Sequence, residues 1–181
     1  MKTYLLIFVS TLFLTINVFA QKQNEISVYS DLSDKKCKTL ESSTDEGGSY
    51  RGLCQGVNGY KLEVLEGDLR QTVNVVAPNK KKFELNLWTI VSGGFSSLGE
   101  KAEWRVVKKN KKDVPVALII RFNASENPED SSKKTSYLVV TKITSREVCV
   151  TDVVKPGANA NDEARKLADA APDKSCRAGN N

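Results

Sequence analysis

Glu63, Glu66 and Asp68 are the carboxylates whose spacing comes nearest to a catalytic arrangement. Glu66 and Asp68 flank Gly67 at a tight turn, and Glu63 lies on the strand that approaches it. Two acids near a turn support glycoside hydrolysis only at a defined separation, with one of them kept protonated by its surroundings. The neighbouring residues supply no such setting, and the plainer reading is of solvated turn carboxylates. Ser96 and Ser97 are possible nucleophiles, with Lys101 as their conceivable base. The chain has no histidine. That removes His-based triads, His zinc sites and the commonest general base near neutral pH. Gly93-Gly94 opens no helical pattern, so it is not a phosphate loop. No catalytic residue, metal site or cofactor is assigned.

Four cysteines, Cys37, Cys54, Cys149 and Cys176, contain no CxxC pair and read as two disulfides. Of the three possible pairings, Cys37–Cys54 would close a short polar loop, and Cys149–Cys176 would tie the tail to the last strand. Residues 1–20 agree with an oxidising destination. Lys2 is followed by an apolar run over residues 4–18 and by Val18-Phe19-Ala20, the pattern of a cleaved signal peptide. That run is too short for a membrane anchor. Gln21 stands where a lipoprotein would carry cysteine. The expectation is an exported protein, periplasmic or secreted, without transmembrane anchoring. Residues 21–176 would form a single disulfide-stapled β-rich domain, and residues 177–181 a frayed tail. With 27 basic against 22 acidic residues the formal net charge is +5, too modest for a dedicated nucleic-acid binder.

Most of the remaining chain alternates apolar and polar residues with period two. Strands are expected around Tyr60, Leu62 and Val64, then Leu69, Val73 and Val75, then over 83–91, 102–106, 114–122, 135–143 and 147–154. Short connections make these an antiparallel meander of about seven strands, closed as a barrel or split as a sandwich. Residues 35–48 read as a polar loop anchored by Cys37. Residues 116–120, 138–140 and 148–154 are apolar on both faces and need a cover. The one helix pattern, residues 161–171, supplies it through Ala164, Leu167, Ala168 and Ala171. Parity puts Val148 and Val150 on one side, with Cys149 and Val153 on the helix side. The fold class is therefore mainly β (α+β), with one C-terminal helix on the sheet. Trp104 is in phase with the core; Trp88 is out of phase with Leu85 and Leu87.

Alternate turns of a meander fall at the same end. Lys80, Lys81 and Lys82 therefore share an end with Lys108, Lys109, Lys111 and Lys112, joined by Lys142 and Arg146. Such an end suits an anionic surface: lipid head groups, lipopolysaccharide or acidic polysaccharide. Lysines at hairpin tips also simply aid solubility and block edge pairing. The opposite end receives Glu66-Gly67-Asp68, residues 92–99 and the acidic stretch 126–130.

Residues 92–99 form the second candidate surface, with Gly94, Phe95, Ser96, Ser97 and Leu98 as partner-binding residues. Either Phe95 and Leu98 tuck over the core, or they anchor a partner. This loop resembles the small-residue loops that periplasmic lysozyme inhibitors insert into a target's active site. The resemblance covers the loop alone, and it implies a proteinaceous inhibitor of an envelope hydrolase. Three functions are thus in play: an exported non-enzymatic binding module, a binder of anionic envelope components, and a carboxylate-dependent hydrolase.

Overall fold

Alternation sustained over many residues becomes one long central hairpin, β7 (Ser96–Lys109) and β8 (Lys112–Ser125). It is seen in a computed structural model that describes residues 25–45 and 47–179. The segment read as a signal peptide lies outside the described residues. β9 (Lys134–Ile143) and β10 (Val148–Val154) extend the hairpin on one side, and β1 (Ile26–Asp31) pairs with the other edge of β7. β3 (Ser49–Gln55), β4 (Lys61–Gly67) and β5 (Arg70–Val76) form a second meander. It is bordered by β2 (Lys38–Ser43) and β6 (Lys82–Glu84). A single parallel pair, Arg70 with Ser96, joins β5 to β7. The result is one ten-stranded sheet that does not close into a barrel.

The two halves share a core. Leu62, Val64, Val73 and Val75 come from one; Trp104, Val106, Leu118, Ile120 and Phe122 come from the other. Trp104 is fully buried, and its indole N–H donates to Ser30 Oγ at 2.9 Å, which satisfies its polar edge. On the outer face, Ala117, Ile119, Leu138, Val140 and Val154 lie beneath α2 (Ala160–Asp169) and the 3-10 turn Ala171–Asp173. Ala164, Ala168 and Ala171 are the buried residues of this cover. Alanines permit close approach but bury little area. Charged pairs supplement them: Arg165 with Glu103 at 2.7 Å, Arg105 with Asp169 at 2.7 Å and Lys174 with Asp152 at 2.8 Å. The disulfides are Cys37–Cys54 and Cys149–Cys176.

Four expectations are corrected. Residues 83–91 are not a strand: β6 ends at Glu84, Asn86 takes φ 48°, and Leu87–Ile90 is a helical turn, α1. Leu85 and Leu87 are still buried, so the apolar alternation is real although the backbone is not extended. Residues 35–48 contain β2, an edge strand exposed along most of its length. In β10 the register shifts between Val150 and Asp152, which turns Val153 toward the large core and Val154 toward α2. Arg177, where fraying was expected to begin, donates its backbone N–H to the Val150 carbonyl at 2.7 Å.

Candidate functional site

Gly67 pairs with Arg70, so Asp68 and Leu69 alone make the β4–β5 turn. Their φ angles are 48° and 58°. Two consecutive positive φ values define the type I′ hairpin turn, which favours Asn-Gly or Asp-Gly. A leucine in this region costs roughly 1–2 kcal/mol. Leu69 is 56 % exposed, so no burial offsets that cost. Its carbonyl accepts the Ser96 N–H at 3.0 Å, which brings the start of β7 alongside.

Phe95 immediately precedes β7 and is 44 % exposed. The Arg70 guanidinium lies 5.0 Å from its ring centroid, and Arg70 Nε donates to the Gly93 carbonyl at 3.0 Å. Leu69 and Phe95 line one depression of about 320 Å³ together with Gln71, Ser96 and Ser125. A second depression, about 290 Å³, adjoins Phe95 and is bordered by Arg70, Asn127 and Pro128. The β4–β5 turn, the segment before β7 and the β8–β9 loop therefore meet at one end of the molecule.

The proposed partner loop is shorter than expected. Ser96, Ser97 and Leu98 belong to β7 and pair with Ala124, Asn123 and Phe122. Ser96 is buried, its hydroxyl donating to the Gln71 carbonyl at 3.3 Å. Leu98 packs against the large core. Gly94 is pressed on the neighbouring strand: a Cβ there would stand 2.4 Å from the Ser125 carbonyl oxygen. Phe95 is the member of that set that combines apolar character with high exposure. Leu69 escaped sequence reading because it is in phase with Val73 and Val75. The signal that could have found it is an apolar residue following Gly67-Asp68, where a hairpin turn prefers glycine. Trp88, on α1, is 40 % exposed, and its indole N–H donates to the Gln71 carbonyl at 3.1 Å.

β5 and β7 run parallel from Arg70 and Ser96, so the turns that follow them lie away from Leu69. Several lysines there are already engaged. Lys82 bridges Glu63 at 2.6 Å, Lys108 bridges Asp113 at 2.6 Å, and Lys81 lies 4.6 Å from the Phe83 ring centroid. Lys80, Lys109, Lys111 and Lys112 are exposed and have no ion-pair partner among the described residues. Lys142 does not join them: it is buried, bonded to Glu147 and to the Lys174 carbonyl.

The carboxylates do not assemble an acid–base pair. Glu63 is 3 % exposed and meets Lys82, Asn74 and Arg51. Burial alone would raise its pKa, but the Lys82 and Asn74 hydrogen bonds and both cations outweigh it and leave the net shift downward. A group held ionised this way cannot donate a proton near neutral pH. Glu66 accepts from Gln71 at 2.6 Å, and Asp68 pairs with Arg70. Glu147, Cys149 and Cys176 group together, but both sulfurs are in a disulfide and offer no thiolate to a metal.

Comparison with protein-family models, curated proteins and solved structures finds no match to this chain. Its surface chemistry is therefore the ground on which a function stands.

Proposed function

We propose that this chain is an exported binding domain that acts without turnover, inserting the Leu69–Phe95 end into the cleft of an envelope hydrolase. The observation that carries this reading is Leu69 itself. Here a leucine occupies a turn position that glycine would fill without strain, and its side chain stands in solvent. Local strain of this kind collects at functional positions. Phe95 and Arg70 beside it are of types enriched at protein interfaces. Two disulfides fit an oxidising compartment.

The test is inhibition. The oxidised mature protein is titrated into a panel of peptidoglycan-cleaving and proteolytic enzymes. Stoichiometric inhibition weakened by about tenfold or more in Phe95→Ala and in Leu69→Gly supports the reading. Absence of inhibition across the panel, or inhibition indifferent to both variants, overturns it.

A second reading rests on Lys80, Lys109, Lys111 and Lys112, exposed at turns beyond the far ends of β5 and β7. They would engage an anionic envelope component. Retention on an anionic matrix that falls steeply with salt, and is lost on reversing Lys109, Lys111 and Lys112 to glutamate, is its signature. Equal elution of the wild type and the reversal variant removes it.

A further inference from the structure

A separate recess lies on the outer face of the sheet, against α2. Its volume is about 210 Å³. It is built on an irregularity of β7. Leu98 pairs with Phe122 and Ala102 with Ile120, so Gly99, Glu100 and Lys101 together stand opposite Arg121 alone. Bulges of this kind re-aim side chains and recur beside functional sites. Gly99 is part of the arrangement. A Cβ there would lie 2.8 Å from Arg121 Cβ and 3.4 Å from its Cγ, so the arginine stem runs flat across the glycine.

The charges in the recess are unevenly used. Glu103 is taken up by Arg165, through contacts of 2.7 and 3.2 Å, and by the Ser27 hydroxyl at 2.5 Å. Arg121 meets neutral oxygens only, Ser136 Oγ at 2.8 Å and Asn161 Oδ1 at 3.4 Å. Neither Arg121 nor Lys101 has a carboxylate within salt-bridge distance among the described residues, though Lys101 stands opposite Asp31 in the β1–β7 pair and, behind the Ser33 hydrogen bonds, helps hold that carboxyl below its usual range. Arg121 is thus left over, with Lys101 nearby, beside the small apolar surface that Ile119 and Leu138 leave uncovered.

We propose that this recess binds a small organic carboxylate, with the carboxylate on Arg121 and Lys101 and the apolar body on Ile119 and Leu138. A guanidinium matches a carboxylate through two parallel hydrogen bonds, and a neighbouring ammonium adds a point charge. The volume lies below the roughly 300–1,000 Å³ typical of sites for drug-sized ligands, which suits a small acid. An inorganic anion would leave the apolar surface unused. This site is distinct from Leu69 and Phe95, and the proposal does not depend on any role for them.

The test is amide and side-chain NMR of the oxidised mature chain, titrated with benzoate and with 4-methylpentanoate. Benzyl alcohol serves as a neutral counterpart and inorganic phosphate as an apolar-free anion. Saturable shifts at Ile119, Leu138 and the Arg121 Nε are expected, with Kd of about 1 mM or tighter. Affinity should fall by about tenfold or more in Arg121→Gln and for benzyl alcohol. Lys101 is exposed, so Lys101→Gln gives a second loss without risk to folding. No saturable shift with either acid overturns the proposal. So does equal binding to both variants, or phosphate binding as tightly as the acids. Phe95→Ala should bind the acids unchanged, and a loss there would also count against this site.

Discussion

Arg105 of β7 holds Asp169 of α2 by two hydrogen bonds, Nε to Oδ1 at 2.7 Å and Nη2 to Oδ2 at 3.1 Å. Its remaining nitrogen, Nη1, donates to Ser27 Oγ of β1 at 2.6 Å. One buried guanidinium thus ties three elements together, and it does so where α2 contributes only alanines as fully buried residues. Side chains that bury so little area leave a larger share of the docking energy to polar contacts.

Arg105→Met keeps most of the stem's volume and removes all these bonds. We expect a loss of about 2–3 kcal/mol, because Asp169 and Ser27 lose a charged partner at a largely covered site. Urea unfolding measures it. A midpoint equal to wild type would show that the alanine face alone docks the helix.

Acid should destabilise the fold through Glu63 and Glu103. For each, burial pushes the pKa up, but their partners outweigh it: Lys82 and Asn74 for Glu63, and Arg165 and Ser27 for Glu103. Both therefore lie below the ordinary 4.5 when folded. A lowered folded pKa gives stability that is present above the unfolded value and drains away as pH falls through the folded one. Denaturation at a series of pH values should show a decline beginning near 4.5 and continuing below it. The double variant Glu63→Gln, Glu103→Gln should be less stable at neutral pH and flatter in acid. An unchanged acid slope would clear these two groups of responsibility.

Tyr137 provides an alkaline counterpart. Burial comes first and its bond to Glu126, 2.7 Å long, second; together they push its pKa from 10.0 up to about 12. A raised folded pKa means that its contribution is complete below pH 10.0 and is lost as pH rises through about 12. Phenolate absorbance, compared between wild type and Tyr137→Phe, isolates this one ring. In Glu126→Gln it should titrate nearer to 10.0; no change would mean that burial alone sets it.

Leu69→Gly should raise stability. It places glycine where φ is 58° and relieves a strain of roughly 1–2 kcal/mol, less the extra freedom glycine has when unfolded. A net gain of about 0.5–1 kcal/mol in thermal or urea unfolding is expected. Should stability fall instead, Leu69 contributes to the fold and the strain argument for its function fails.

The strands β8 to β10 were legible because each contains an apolar run on both faces, and the middle of β7 because Ala102, Trp104 and Val106 alternate with polar residues. The helix was legible from the spacing of Ala164, Leu167 and Ala168. β2 was not, because an edge strand of sequence KTLESS buries almost nothing and so shows no pattern. The stretch 83–91 misled because Leu85 and Leu87 are buried on either side of Asn86, whose left-handed backbone ends the strand. At the apolar end, the exposure of Phe95 could be guessed from the glycines before it. The same glycines concealed that β7 already begins at Ser96. Leu69 was hidden by sharing parity with true strand residues. A pairing register, Gly67 with Arg70, was needed to show that it lies in the turn.

The register shift in β10 has a consequence for chain length. Thr151 is the extra residue: Val150 pairs with Thr141 and Asp152 with Val140. Deleting Thr151 would restore plain alternation, with Val150 and Val153 still facing the large core and Val154 still beneath α2. Position 151 is thus one where a letter can be dropped without reassigning any neighbour to the wrong face. Where the register is unbroken, as between β8 and β9, a one-residue deletion would turn every later side chain inside out. Sequences of this architecture can therefore differ in length at β10 and still superimpose strand for strand.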